Sequence, residues 1–110
     1  MPPKVKICGI RTIDAAIAAI NDSADFLGFI HFPKSPRHLT LNAMKDLIRA
    51  IRSVNANIPC VSVVVNPDDS LLSDLKNTIR PDFIQLHGKE TPERVAQIAA
   101  LTHIPLIKAV

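Results

Sequence analysis

Aromatic residues are nearly absent from this chain, which has no Trp or Tyr and only four Phe in 110 residues. Domains that grip single-stranded nucleic acid stack bases on aromatic faces, and no such platform exists here. The 13 Lys and Arg, set against 10 Asp and Glu for a net charge of +3, are scattered rather than gathered on one stripe, so no nucleic-acid partner is expected. Cysteine is equally scarce. Cys8 and Cys60 lie far apart inside apolar runs, which excludes a disulfide framework and offers no zinc-ligand spacing. No run approaches the ~20 consecutive apolar residues of a membrane span. The N-terminal Met1-Pro2-Pro3-Lys4 also lacks the apolar core of a secretory signal. These absences predict a cytoplasmic protein with no membrane partner. The slight basic excess suits small anionic substrates.

What the chain has in quantity is hydrophobic sequence, 47% of its residues. That suffices for one compact domain, at a length too short for two. Five short apolar runs punctuate it: VKICGI from Val5, DFLGFIHF from Asp25, IPCVSVVV from Ile58, DFIQLHG from Asp82 and IPLIKAV from Ile104. Short β-branched runs bounded by Pro, Gly, Asn or Asp read as buried parallel strands. Between them apolar residues recur at helical spacing. Ile13, Ala16, Ile17 and Ile20 form one stripe, and Met44, Leu47, Ile48 and Ile51 a second. Leu72, Leu75 and Ile79 mark a third, and Val95, Ile98 and Ala99 a fourth. Thr12 and Thr40 are placed to cap the first two helices, Asn66-Pro67 to open the third and Thr91-Pro92-Glu93 the fourth.

Strict βα alternation implies parallel strands joined by right-handed crossovers, in either an open doubly wound sheet or a piece of a (β/α)8 barrel. Side-chain parity favours the barrel. Ile84 and Leu86 point one way while Phe83, Gln85 and His87 point the other, and Val5 and Ile7 oppose Lys6 and Cys8. Lys6, Gln85 and Lys108 in mid-strand find no place in a sheet covered by helices on both faces. A barrel's inner face accepts them. Phe29 and Phe83 are expected beside them on that face. The fold class is therefore α/β of the (β/α)8 TIM-barrel type, with about four βα units and a fifth strand. A whole barrel takes roughly 200 residues or more, so the chain corresponds to half of one.

Barrel chemistry sits at the C-terminal ends of strands and in the loops beyond them. Cys8-Gly9 places a thiol at the first such end, although an isolated Cys there is ordinarily a small buried hydrophobe. The loop HFPKSPRHL carries Lys34, Ser35, Arg37 and His38 between and beside two prolines. Arg37 has the fork that suits a carboxylate, against the plainer reading of a solvated surface cation. Gln85 and His87 share an inward face with Gly88 at the turn, as pocket residues or as a satisfied core pair. Asn66 is adequately explained as a helix cap.

Taken in order, KICGI at Lys6 to Ile10, DFLGFI at Asp25 to Ile30, PKSPR at Pro33 to Arg37, VSVVVN at Val61 to Asn66, QLHG at Gln85 to Gly88 and IKAV at Ile107 to Val110 resemble phosphoribosylanthranilate isomerase. His31 and the aliphatic Val63 depart from the usual family pattern without touching these motifs. The resemblance implies that residues 1–110 are the N-terminal half of a single barrel domain. It implies an Amadori rearrangement of N-(5-phosphoribosyl)anthranilate, a small-molecule substrate, without cofactor or metal. Cys8 would be the general base, Arg37 would hold the anthranilate carboxylate, and His87 and Gln85 would line the pocket. The family's general acid, an aspartate on a later strand, and its phosphate loops lie outside this chain. The chain alone is accordingly expected to be inactive, and to self-associate or pair with a C-terminal half. Two rivals fit less well. A phosphoryl-accepting receiver domain needs carboxylates where Cys8-Gly9 and Val65-Asn66 stand, and indoleglycerol-phosphate synthase lacks the KICGI and SPR combination.

Overall fold

The computed structural model describes residues 4–108; Ala109 and Val110, which end the IKAV segment, lie outside the described residues. Strands β1 (Lys6–Ile7), β2 (Phe26–His31), β3 (Cys60–Val64), β4 (Phe83–Leu86) and β5 (Leu106–Lys108) alternate with helices α1 (Ile13–Asn21), α2 (Leu41–Val54), α3 (Asp69–Asp74) and α4 (Pro92–Thr102). The strands form one sheet in the order β1-β2-β3-β4-β5, and every neighbouring pair is parallel. A doubly wound sheet reverses its strand order at a switch point, and this one does not. Crossovers of one hand between successive neighbours put all the helices on the same face.

Burial agrees with that geometry. One core cluster joins Ala16 and Ala19 of α1, Met44, Ile48 and Ile51 of α2, Leu72 of α3 and Ile98 of α4 to Leu27, Phe29, Cys60, Val64, Ile84 and Leu86 of the sheet. The opposite face carries Lys6, Gly28, Val61, Val63, Phe83 and Gln85, aligned by the register Gly28↔Val61, Val61↔Phe83 and Val63↔Gln85. Two contacts show how strongly this face curls. The Phe26 and Phe83 rings, from β2 and β4, meet edge to face at 5.8 Å across the intervening β3. Lys6 Nζ of β1 donates to Gln85 Oε1 of β4, three strands away. Across a flat sheet those backbones would stand about 14 Å apart with side chains parallel, so the concave arc of a barrel wall is required.

Helix starts follow from the sequence with one exception. Thr12, Thr40 and Thr91 accept the backbone N–H of Ala15, Ala43 and Arg94, each at 3.1 Å. The third helix begins later than Asn66-Pro67, because Asp68 is its cap, accepting Leu71 N–H at 2.8 Å. Asn66 adopts φ +43° and its side chain is used elsewhere, so the capping role assigned to it is corrected. The third stripe is also not one regular helix. After α3 the chain widens into a π-helical turn, Leu75–Ile79, closed by Arg80 N–H on Leu75 O at 2.7 Å. The wider turn keeps Leu75 and Ile79 in the core.

Two expectations about the open face also change. Phe29 is fully buried on the helix side, because the register pairs it with Ser62, itself opposite Ile84; Phe26 takes the open-face place instead. Lys108 pairs in register with Leu86 and so does not share the inner face with Gln85. Val5 and Ile7 oppose Lys6 and Cys8 as parity requires, and remain exposed.

Gly28 is where the sheet's close packing meets the candidate site. A Cβ built there would lie 3.0 Å from Cys8 Sγ and 3.2 Å from Cys8 Cα. Replacing a strand glycine by alanine ordinarily gains about 0.5–1 kcal/mol, whereas overpacking costs about 1–3 kcal/mol. The second effect wins when backbone is in the way. Gly28→Ala is expected to lower the urea midpoint at unchanged m; an equal or higher midpoint would show that β1 yields freely.

Candidate active site

The C-terminal strand ends converge on one opening. Cys8, half-buried and unpaired as a thiol, follows β1, where the backbone turns through Gly9 at φ +82°. The N–H groups of Gly9 and Ile10 both donate to Gly28 O at 3.0 Å, fixing the turn against β2. Gly9 serves a second purpose. Arg37 lies directly over it, so that a Cβ would come within 2.5 Å of Arg37 Cδ and 2.9 Å of Nη1. Glycine there satisfies the left-handed backbone and admits the guanidinium to the mouth.

Arg37 belongs to the loop after β2, which internal hydrogen bonds hold in a compact form. Ser35 N–H donates to Phe32 O at 2.8 Å and His38 N–H to Ser35 O at 3.1 Å. Ser35 Oγ accepts Arg37 N–H at 3.1 Å. His38 Nδ1 accepts Phe32 N–H at 2.9 Å, which requires a neutral imidazole with its proton on Nε2. Burial pushes the His38 pKa down, and the nearby His31 and Arg11 push it the same way.

Gln85 and His87 come from β4 and the residue beyond it, on the parity read from the sequence. His87 N–H is anchored to Val64 O at 2.9 Å. Together with Lys6, Cys8, Ser35 and Arg37 these side chains line a cavity of about 370 Å³, whose walls are Ile30, Phe32, Val63 and Val65. Its size suits a small ligand, and among the described residues no carboxylate lines it beside Lys6 and Arg37. A larger depression of about 460 Å³ lies by α2 and the π-helical turn, bordered by His31, His38, Thr40 and Asp74. None of the inner-face residues named above borders it. Among the described residues no three His, Cys, Asp or Glu side chains cluster as metal ligands would. Cys60 is unlike Cys8. It is fully buried in the core, where burial raises its thiol pKa to about 11, with Arg52 opposing and Asp82 adding to the rise.

The rim is tied together by Glu90, which sequence reading passed over. Its carboxylate, 1% exposed, accepts Asn66 N–H at 2.8 Å, Gly88 N–H at 3.1 Å and Lys108 Nζ at 2.9 Å. Asn66 Oδ1 accepts Lys89 N–H at 3.0 Å, and Lys108 Nζ also donates to Gly88 O at 2.7 Å. One carboxylate therefore links the ends of β3, β4 and β5. No local pattern announces this, since its partners Asn66 and Lys108 lie 24 and 18 residues away. Gly28 was missed for a similar reason: only the β1–β2 register shows it beneath Cys8.

Comparison with known proteins gives the family. A family model described as N-(5'phosphoribosyl)anthranilate (PRA) isomerase matches residues 5–110. The chain belongs to the phosphoribosylanthranilate isomerase family. It is 49% identical over 109 residues to the N-(5'-phosphoribosyl)anthranilate isomerase of Azorhizobium caulinodans, covering 99% of this chain and 46% of that relative. The crystal structure of phosphoribosyl anthranilate isomerase from Thermotoga maritima superposes with a TM-score of 0.88 at 30% identity, covering 99% of this chain and 51% of that one. Another isomerase structure, in complex with reduced 1-(o-carboxyphenylamino)-1-deoxyribulose 5-phosphate, gives a TM-score of 0.85 at 32% identity, covering 99% and 54%. The chain thus spans about half the length of the isomerases it matches, and its five strands and four helices form about half of the family's (β/α)8 barrel.

Within this isomerase fold, Glu90 makes the rim sensitive to acid. Burial pushes its pKa up, but the hydrogen bond from Lys108, the backbone N–H bonds and the Lys108 charge outweigh it, leaving the value below the ordinary 4.5. A depressed carboxylate stabilises the fold fully above its unfolded pKa, and that contribution is lost as pH falls through the lower folded value. The stability gap between the unsubstituted protein and Glu90→Gln should therefore be widest above about pH 5 and close on acidification. Urea titrations across that range measure it; a gap independent of pH would mean the carboxylate carries no charge-dependent stabilisation.

Proposed function

We propose that this chain contributes half of the active site of an isomerase that performs the Amadori rearrangement of N-(5-phosphoribosyl)anthranilate to 1-(2-carboxyphenylamino)-1-deoxyribulose 5-phosphate. The observation that carries the reading is one cavity in which Cys8, Arg37, Gln85 and His87 converge from the ends of β1 and β4 and the loop after β2. The substrate class follows from family membership. Residues 1–110 are read as the N-terminal half of a single barrel domain. The length of the relatives supports further βα units as the cover for the open inner face. That part would supply the general acid, an aspartate, and the phosphate-binding loops. A cytoplasmic setting suits a biosynthetic enzyme of this kind, and among the described residues no helix is long and apolar enough to cross a membrane.

In this reading an acid protonates the furanose ring oxygen and the sugar opens to a protonated Schiff base. Cys8 then removes the proton from C2, giving the enolamine that tautomerises to the ketone. Arg37, which forms no ion pair among the described residues, takes the anthranilate carboxylate through its fork. The apolar walls of Ile30, Phe32, Val63 and Val65 receive the aromatic ring, and His87 and Gln85 orient the sugar. Gly9 matters because it lets the carboxylate anchor lie beside the base.

In the protein that carries this chain, Cys8→Ala is expected to reduce kcat by about 10²–10⁴ while KM stays near its original value. The substrate's fluorescence decay reads both constants, and near-normal turnover would remove Cys8 as the base. Arg37→Ala acts on binding instead. Loss of a charged hydrogen-bonded pair costs about 2 kcal/mol, or roughly thirtyfold in KM with kcat little changed; an unaltered KM would take Arg37 out of the site.

A further inference from the structure

The cavity contains a cation that none of these steps uses. Lys6 stands two residues before Cys8 on the same inward face and is among the residues that line the cavity. Among the described residues it forms no ion pair, and no carboxylate lines the cavity. Its one hydrogen-bond partner there is Gln85 Oε1. An ammonium has three donors, so two remain for a ligand. Because Lys6 can only donate, it also fixes the Gln85 amide with Oε1 toward itself. A cation held this way on the wall of an uncapped pocket is placed to meet negative charge from a bound molecule.

We propose that Lys6 is a further catalytic residue whose ammonium, steadied by Gln85, hydrogen-bonds the C2 oxygen of the substrate and stabilises it as the C2 hydroxyl gives up its proton. The inference rests on the isomerase reading of the site and adds a role that reading lacks. Cys8 and Lys6 are about 7 Å apart along the strand. A carbon seated between them presents its C–H to the thiol and its oxygen to the ammonium. When Cys8 takes the C2 proton, the C–H pair becomes the C1=C2 bond and the iminium pair returns to the anthranilate nitrogen. The C1=C2 pair then takes a proton from Cys8 at C1 while the C2 hydroxyl gives its own to the conjugate base of the acid, the O–H pair forming C2=O. That hydroxyl proton replaces the one the acid gave to the ring oxygen, so the protons balance. Lys6 keeps all of its protons. It stabilises the charge that builds on the C2 oxygen during loss of the hydroxyl proton, as a fixed donor does at an oxyanion.

The test uses steady-state kinetics on the protein that carries this chain, with Lys6→Ala and with Lys6→Met, which keeps the aliphatic stem if the alanine variant unfolds. Loss of an oxyanion-type donor predicts a kcat lower by about 10²–10³ with KM changed less than about threefold. Added ethylammonium is expected to restore part of the rate in Lys6→Ala in proportion to its concentration, while ethanol restores none. Unchanged kcat, a loss confined to KM, or equal rescue by ethanol overturns the proposal, because a space-filling or bracing role does not depend on charge. Absence of turnover in the unsubstituted protein is a separate result that overturns the isomerase reading and this proposal with it.

Discussion

Everything in this structure follows from the order in which parallel strands are laid down. Each new strand pairs with the one just before it, so the helices accumulate on one side and the sheet curls away from them. The helix side becomes a close-packed aliphatic core. The other side becomes a concave wall free of helices, where a lysine can reach a glutamine three strands away. Polar residues on that wall avoid the desolvation cost that would bar them from a sheet buried on both faces.

The two ends of the wall do different work. At the N-terminal end Asp82 accepts Cys60 N–H at 2.8 Å and pairs with Arg52 at 3.2 Å, contacts that brace the barrel bottom. At the C-terminal end glycine appears where close approach is needed. Gly28 leaves room for Cys8, and Gly9 for Arg37. Glu90 ties the last three strand ends into one rim by taking two backbone N–H groups and a lysine. Removing water from that carboxylate is costly, and the three donors offset the cost. The same bonds hold the turn at Gly88, so the position of neighbouring His87 depends on a carboxylate outside the cavity.

Much of this was legible in the chain because the relevant signals are local. Period-two alternation separated Gln85 and His87 from Ile84 and Leu86. Threonine caps marked three helix starts, and the KICGI, SPR and QLHG segments pointed to the family. Reading failed where a residue's role depends on its opposite number. Asn66 looked like a cap until Asp68 proved the better-placed acceptor and Lys89 claimed its side chain. Phe29 and Lys108 were assigned to the open face from their types rather than from register, and one step of register moves a side chain through the sheet.

By itself, then, the sequence determined the alternation of strands and helices, the family, and the residues that stand at the strand ends, because hydrophobic period and capping chemistry act over a few neighbours. Tertiary structure alone decided which face Phe29 and Lys108 take, that Lys6 meets Gln85, that Glu90 joins three strand ends, and that Gly28 lies under the thiol. Those facts are set by strand register and sheet curvature, which bring together residues 18 to 79 positions apart and leave no trace in any short window of sequence.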